Sequence, residues 1–195
     1  MSQCYQVQLK QSVSRRVDQD DSVSYPIELT EILPQDEMKD ILRGVLESDG
    51  WMAEPENSDR FRKTGAAGET LELDLGSMEV TATISDEKEV SADVSATGIG
   101  ERRSDAKRDA NRQLQQQAAA KGDQIEEAAR RVLRDELREK LAESEDDRMR
   151  QLNELLQKVY AESLKRKAGQ LGDIMEVHES TGEDDNYELV IRVAQ

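Results

Sequence analysis

Apolar and polar residues alternate singly over residues 3–10, with Tyr5, Val7 and Leu9 on one side and Cys4, Gln6 and Gln8 on the other. That period of two marks a half-buried strand. Residues 11–22 are polar and show no period, so the strand is expected to stop there. Residues 23–29 (VSYPIEL) read as a short extended piece, and Pro26, which has no N–H for a ladder, restricts it to a sheet edge or a loop. Pro34 then opens a helix that ends at Gly50. Proline suits the first turn, Asp36 and Glu37 lie at its positive end, and Met38, Ile41, Leu42, Val45 and Leu46 make one apolar face for a sheet. Trp51, at the helix-to-strand corner, is expected in the core. From Phe61 to Thr97 the period returns to two, with a short strand near 60–63 and longer ones at 70–75, 78–84 and 89–96. Turns are expected at 65–69, at Gly76-Ser77 and at Asp86-Glu87-Lys88. One face of these strands is apolar and the other charged, which suits antiparallel hairpins better than a parallel sheet covered on both faces.

The longest pattern is helical and covers Glu101 to Leu171. It lacks proline and is built mostly of Ala, Leu, Gln, Glu, Lys and Arg, which lose little side-chain freedom in a helix. Apolar residues recur at three- and four-residue steps, the seam of a coiled coil or of a helix lying on a partner. Leu133, Leu137, Leu141, Leu152 and Leu156 are its centre and the expected partner-binding residues. The part near Leu114 holds mainly alanines and makes a thin seam. Gly122 and Ser144 are candidate breaks, and because the chain must return at Gly172, a hairpin or broken arm is expected rather than a rod of about 100 Å. Beyond Gly172, Ile174, Met175 and Val177, then Tyr187, Leu189, Ile191 and Val193, give two strands around an acidic turn. The last is among the most apolar runs in the chain and is expected to be central, beside the first strand. The expected fold is therefore α+β: a small antiparallel sheet with one packed helix, and a long coiled-coil-like helical arm inserted before a C-terminal β-hairpin. Residues 1–100 and 172–195 would form the body, and 101–171 the arm.

Composition sharpens this picture. Hydrophobic residues are 35% of the 195 and aromatics 3%, less than an ordinary globular domain carries, so the core must be small. The net charge of −16 is uneven. Residues 101–171 hold 17 basic and 15 acidic side chains, whereas residues 1–100 hold 9 and 21. An acidic body repels phosphate backbones and anionic lipid, so neither nucleic acid nor a membrane surface is an expected partner. Cys4 is the only cysteine, which excludes a disulfide within the chain, and its place in a strand predicts a small buried side chain. With no apolar run of about 20 residues and no signal-like N-terminus, a reducing cytoplasm is the expected location.

The residues show no chemistry of a known pattern. There is no phosphate-binding GxxxxGK[ST] loop, GxGxxG, GxSxG, HExxH or CxxC. His178 is the only histidine and has neither Cys4 nor a serine at a diagnostic spacing, so it reads as structural or exposed. Glu183, Asp184 and Asp185 lack the alternating ligands and glycine of a calcium loop and read as a solvated turn. Lys165, Arg166 and Lys167 suit a helix C-terminus. Arg102, Arg103, Lys107, Arg108 and Arg112 have no aromatic among them on which a base could stack. No cofactor, metal or catalytic residue is therefore expected.

The last stretch, VYAESLKRKAGQLGDIMEVHESTGEDDNYELVIRV, resembles the helix, glycine, strand, turn, strand ending of a small conserved family of unknown function encoded in plastids and cyanobacteria. It is also similar to the related small αβ components of bacterial FtsH ternary systems, gene neighbourhoods that pair such components with AAA+ ATPases and are proposed conflict or stress systems. The resemblance brings forward an AAA+ ATPase as a partner. The seam and the acidic surface point to a non-enzymatic adaptor or assembly component, whose arm seam docks on a partner helix or on a second copy of the chain while the acidic body meets a second protein. Two other readings stand beside it: a metal- or nucleotide-dependent enzyme or regulator with a site between sheet and arm, and an acidic mimic of nucleic acid.

Overall fold

The computed structural model describes residues 4–181 and 187–194. In order they form β1 (Tyr5–Pro26), α1 (Gln35–Ser48), β2 (Met52–Glu54), β3 (Asn57–Thr64), β4 (Thr70–Asp74), β5 (Glu79–Gly100), α2 (Arg103–Glu143), α3 (Glu145–Leu171), β6 (Asp173–Thr181) and β7 (Tyr187–Ala194). Five strands make one antiparallel sheet in the order β1-β5-β4-β3-β2, and β6 and β7 make a second sheet of two. The fold is α+β, as the pattern predicts. By its contacts the chain divides into two units, Met1–Asp21 with Ile84–Lys140 and Ser22–Thr83 with Leu141–Gln195.

In the first unit, β1 and β5 run side by side as a ribbon with α2 along one face. The strand does not end at residue 10. Alternation continues through 11–21, with Val13 and Val17 buried and Arg15, Gln19 and Asp21 half-buried on the same side. The period escapes notice because three inward positions are polar, and two of those pair with the helix. Arg15 lies 3.8 Å from Glu126, and Asp21 accepts from Arg138 Nε at 3.0 Å. Nor does the chain turn at 86–88, because β5 is continuous. Asp86 and Lys88 are 3.2 Å and 3.4 Å from Lys140 and Glu136 of α2, and Glu87 pairs with Arg16 of β1.

The inward face of α2 is small-sided, with Ala106, Ala110, Leu114, Ala118, Gly122 and Ala129 buried ahead of Leu133 and Leu137. A Cβ at Gly98 of β5 would stand 2.1 Å from the Ala106 carbonyl oxygen, so strand and helix backbones touch there. The alanines of the thin seam thus serve close packing on the chain's own ribbon. Gly122 does not interrupt the helix.

In the second unit the register places Phe61, Leu73 and Val80 in one row and Leu71 beside Ala82, all buried on one face. The opposite face is laced with ion pairs such as Arg62–Glu72 (2.9 Å) and Arg60–Asp74 (3.1 Å). Helix α1 forms where its capping and periodicity predict and buries Met38, Ile41, Leu42 and Leu46. Gly50, at φ 82°, follows its end in the left-handed conformation that glycine takes without strain. Trp51 is buried.

Ser144 stands alone between α2 and α3 with near-helical backbone angles (φ −90°, ψ 3°). The expected helix start is there. The strand β7 is not central. It pairs with β6 alone among the described residues, and the hairpin packs on α3. Tyr187, Leu189, Ile191 and Val193 are half-buried on one side while Glu188, Val190 and Arg192 are exposed. The run that looks fully apolar in sequence is thus covered on one face only. Glu183, Asp184 and Asp185, read from sequence as a solvated turn, lie outside the described residues.

Candidate functional site

Among the described residues, charge is taken out of water at one place. Arg148, in the first turn of α3, is 3% exposed, and Glu69, between β3 and β4, is 1% exposed. Arg148 Nη1 lies 3.8 Å from Glu69 Oε1 and also donates to the Ser144 hydroxyl. Its Nη2 donates to the Leu141 carbonyl at 2.5 Å and to the Tyr25 hydroxyl at 3.2 Å, and the guanidinium carbon stands 5.9 Å from the Tyr25 ring centre. Glu69 Oε2 accepts from the Ala67 N–H at 2.9 Å. Arg148 therefore satisfies a carbonyl near the end of α2 and ties the helix break to the β3–β4 turn and to β1. This is a structural centre.

The accessible site is a groove of about 1360 Å³ between α1, α3 and the β6–β7 hairpin. Helix α1 supplies Ile41, Gly44 and Val45, α3 supplies Met149, Leu156, Tyr160 and Ala161, and the hairpin supplies Glu179 and Tyr187. Around this apolar strip, Asp40, Asp146, Glu154 and Glu162 alternate with Arg150, Lys158, Lys165 and Arg166. At the hairpin end, Lys165 forms an ion pair with Glu179. Their hydrogen bond raises the Lys165 pKa and lowers that of Glu179, while burial, followed by the Glu179 charge, raises the Tyr187 phenol. At the α1 end, Asp49 accepts from Lys63 Nζ at 2.9 Å and Lys158 Nζ at 2.5 Å. Burial opposes its ionisation, but the two lysines outweigh that and hold its pKa below the ordinary carboxylate value. Tyr160 accepts from the Thr30 N–H and donates to the Glu28 carbonyl, both at 3.2 Å, pinning α3 to the segment after β1.

Of the five seam leucines, Leu133 and Leu137 are buried in the first unit and Leu141 and Leu152 in the second. Leu156 is half-buried and lines the groove. Lys165 and Arg166 do not serve the helix end. They reach Glu179 and, at 3.3 Å, Glu37. Cys4 is exposed, not buried as the expected strand position predicts, because it lies ahead of β1, where Tyr5 on the other side is exposed as well. His178 is exposed on the hairpin. Sequence reasoning passes over Tyr160, Glu179 and Tyr187, whose roles depend on α1, α3 and the hairpin coming together. The only local signs are two tyrosines, Tyr160 on a helix and Tyr187 on a strand, and nothing local marks Glu179.

Among the described residues no group of three or more His, Cys, Asp or Glu is placed to hold a metal ion, and no helix is long and apolar enough to cross a membrane. The family model for FtsH ternary system domain X5 matches residues 1–194. This chain belongs to that family. The X5 match covers residues 1–194, whereas the resemblance legible in sequence covers about the last 35 residues and, more loosely, the strand, helix and meander order before the arm. It makes the X5 domain a component of a multiprotein system and associates it with protein partners. No curated protein and no solved structure matches it.

Proposed function

We propose that the X5 domain is a non-enzymatic adaptor or assembly component of its FtsH ternary system, working in the cytoplasm and docking a protein partner in the groove between α1, α3 and the hairpin. The AAA+ ATPase of the system is the first candidate partner. The observation that carries this reading is the groove itself: an open apolar strip with Met149 39% exposed, bordered by charges of both signs. Such a surface suits an amphipathic helix, whose apolar side chains fill the strip and whose charges meet the rim. Within the leucine seam, Leu156 would touch the partner, while Leu141 and Leu152 are buried within the same unit and Leu133 and Leu137 within the first.

The test is titration of the purified chain with the purified ATPase of the same system, at low and high salt, for wild type and a Met149→Asp/Leu156→Asp variant. We expect at least a tenfold loss of affinity in the variant, with its circular dichroism and Tm close to wild type, because two charges would be buried in the apolar strip. Equal affinity would sink the assignment. Wild-type binding should change little with salt, since apolar docking is not screened. Binding that collapses at high salt would favour the acidic-mimic reading instead.

A further inference from the structure

The hairpin β6–β7 has the makings of half a sheet. Two strands alone are marginal in water, and this pair is covered by α3 on one face only. Both outer edges lack a strand partner among the described residues, yet they differ. The ladder on β6 shifts between Ile174 and Glu176, an irregularity that disfavours further pairing, and β6 carries Asp173, Glu176 and Glu179. On β7 the residues from Tyr187 to Ala194 are regular, half of them β-branched or aromatic, and hold two charges, Glu188 and Arg192. These stand symmetrically about Val190.

We propose that β7 pairs antiparallel with β7 of a second copy of this chain, joining two hairpins into a four-stranded sheet. With Val190 opposite Val190 of the second copy, Glu188 faces Arg192 of the second copy, and the same pair recurs across the two-fold axis. Shifting the register by one pleat in either direction removes both charge pairs. Within one chain Arg192 already lies 3.0 Å from Glu176 on β6, yet its side chain is 74% exposed. The guanidinium, with five donors in a fork, can take a carboxylate on each side. The self-pairing also covers Val190, which is 39% exposed, and preserves alternation, so the half-buried side of each β7 stays on the side of its own α3. Opposite charges facing across strands stabilise the pairing, and like charges there oppose it.

Light scattering coupled to size exclusion, at micromolar concentration, reads the outcome. Wild type should run at twice the 22.0 kDa chain mass. Glu188→Arg alone puts Arg opposite Arg192 of the second copy, and Arg192→Glu alone puts Glu opposite Glu188, so each should lose the dimer. An equimolar mixture of the two variants recreates both opposite pairs and should recover it. The chain carrying Glu188→Arg and Arg192→Glu, with Glu176→Arg added so that residue 192 keeps an opposite charge across from it on β6, should dimerise like wild type, which separates charge pairing from any loss of fold in the single variants. A monomeric wild type would overturn the proposal, and would leave β7 as an edge for a strand of some other protein. A dimer indifferent to both single reversals would also overturn it, placing the interface elsewhere, such as the helical seam. So would a mixture and a triply substituted chain that both stay monomeric.

Discussion

In the first turn of α3 three exposed acids, Glu145, Asp146 and Asp147, suit the positive helix end, while the next residue turns inward. Arg148 is held by Ser144, Leu141, Tyr25 and Glu69, yet its Nε has no hydrogen-bond partner and its distance to Glu69 is long. Desolvating two charges is therefore only partly offset, and the pair is better understood as fixing the helix break than as a source of stability. Removing one member leaves the other charged, buried and alone. Arg148→Ala should cost about 3–5 kcal/mol, a fall of roughly 10 °C in Tm. Replacing both, as Arg148→Met with Glu69→Leu, should restore most of that loss, and thermal unfolding of the three chains checks the order. If the double replacement unfolds as early as the single one, the hydrogen bonds to Leu141 and Ser144 matter more than the charge pair.

Between elements, the closest packing is where α2 meets β5. The absent Cβ of Gly98 makes room for the backbone of Ala106 and Ala110. Gly122 differs, because a Cβ there would meet only the far end of the Arg15 side chain, at 2.7 Å, which can move. In the second unit Asp49 links three elements, standing at the end of α1 and bonded to Lys63 of β3 and Lys158 of α3. Its pKa is lowered from 3.8, so the charged form favours the folded state. That contribution is complete above the unfolded value and is lost as pH falls through the lower folded value. The Tm gap between wild type and Asp49→Asn should therefore be constant above about pH 5 and close as the pH falls below 3.8. A gap that persists unchanged at low pH would mean that packing or hydrogen bonding of the uncharged group, not ionisation, supplies the link.

For the molecule as a whole, the division of strands into two sheets decides what can be removed. Residues 172–195 carry seven acidic side chains and one basic, a large share of the net charge of −16, and none of the described ones among them belongs to the five-stranded sheet. A chain ending at Leu171 should therefore keep the circular dichroism of the large sheet and a cooperative thermal transition, with a Tm a few degrees lower because one face of α3 is uncovered. Loss of cooperative unfolding would mean that the hairpin is integral to the core. A central β7, as its apolar sequence predicts, would have required that loss.

Several features were legible in the residues alone: α1 from its Pro34 start and apolar face, the helical stretch after Glu101, the start of a helix at Ser144, the meander of β3 and β4, and the terminal hairpin. These depend on periodicity, proline and short-range polarity, which act within a few residues. The joining of residues 11–22 into β1 and of 86–88 into β5 was hidden, because Arg15, Asp21, Asp86 and Lys88 look like loop residues until a helix supplies their partners. The burial of Arg148, the exposure of Cys4 and the assembly of the groove from α1, α3 and the hairpin were likewise settled by tertiary structure. Whether a side chain faces core, water or an opposite charge depends on neighbours far away in sequence, and periodicity is silent about which of two faces will be covered.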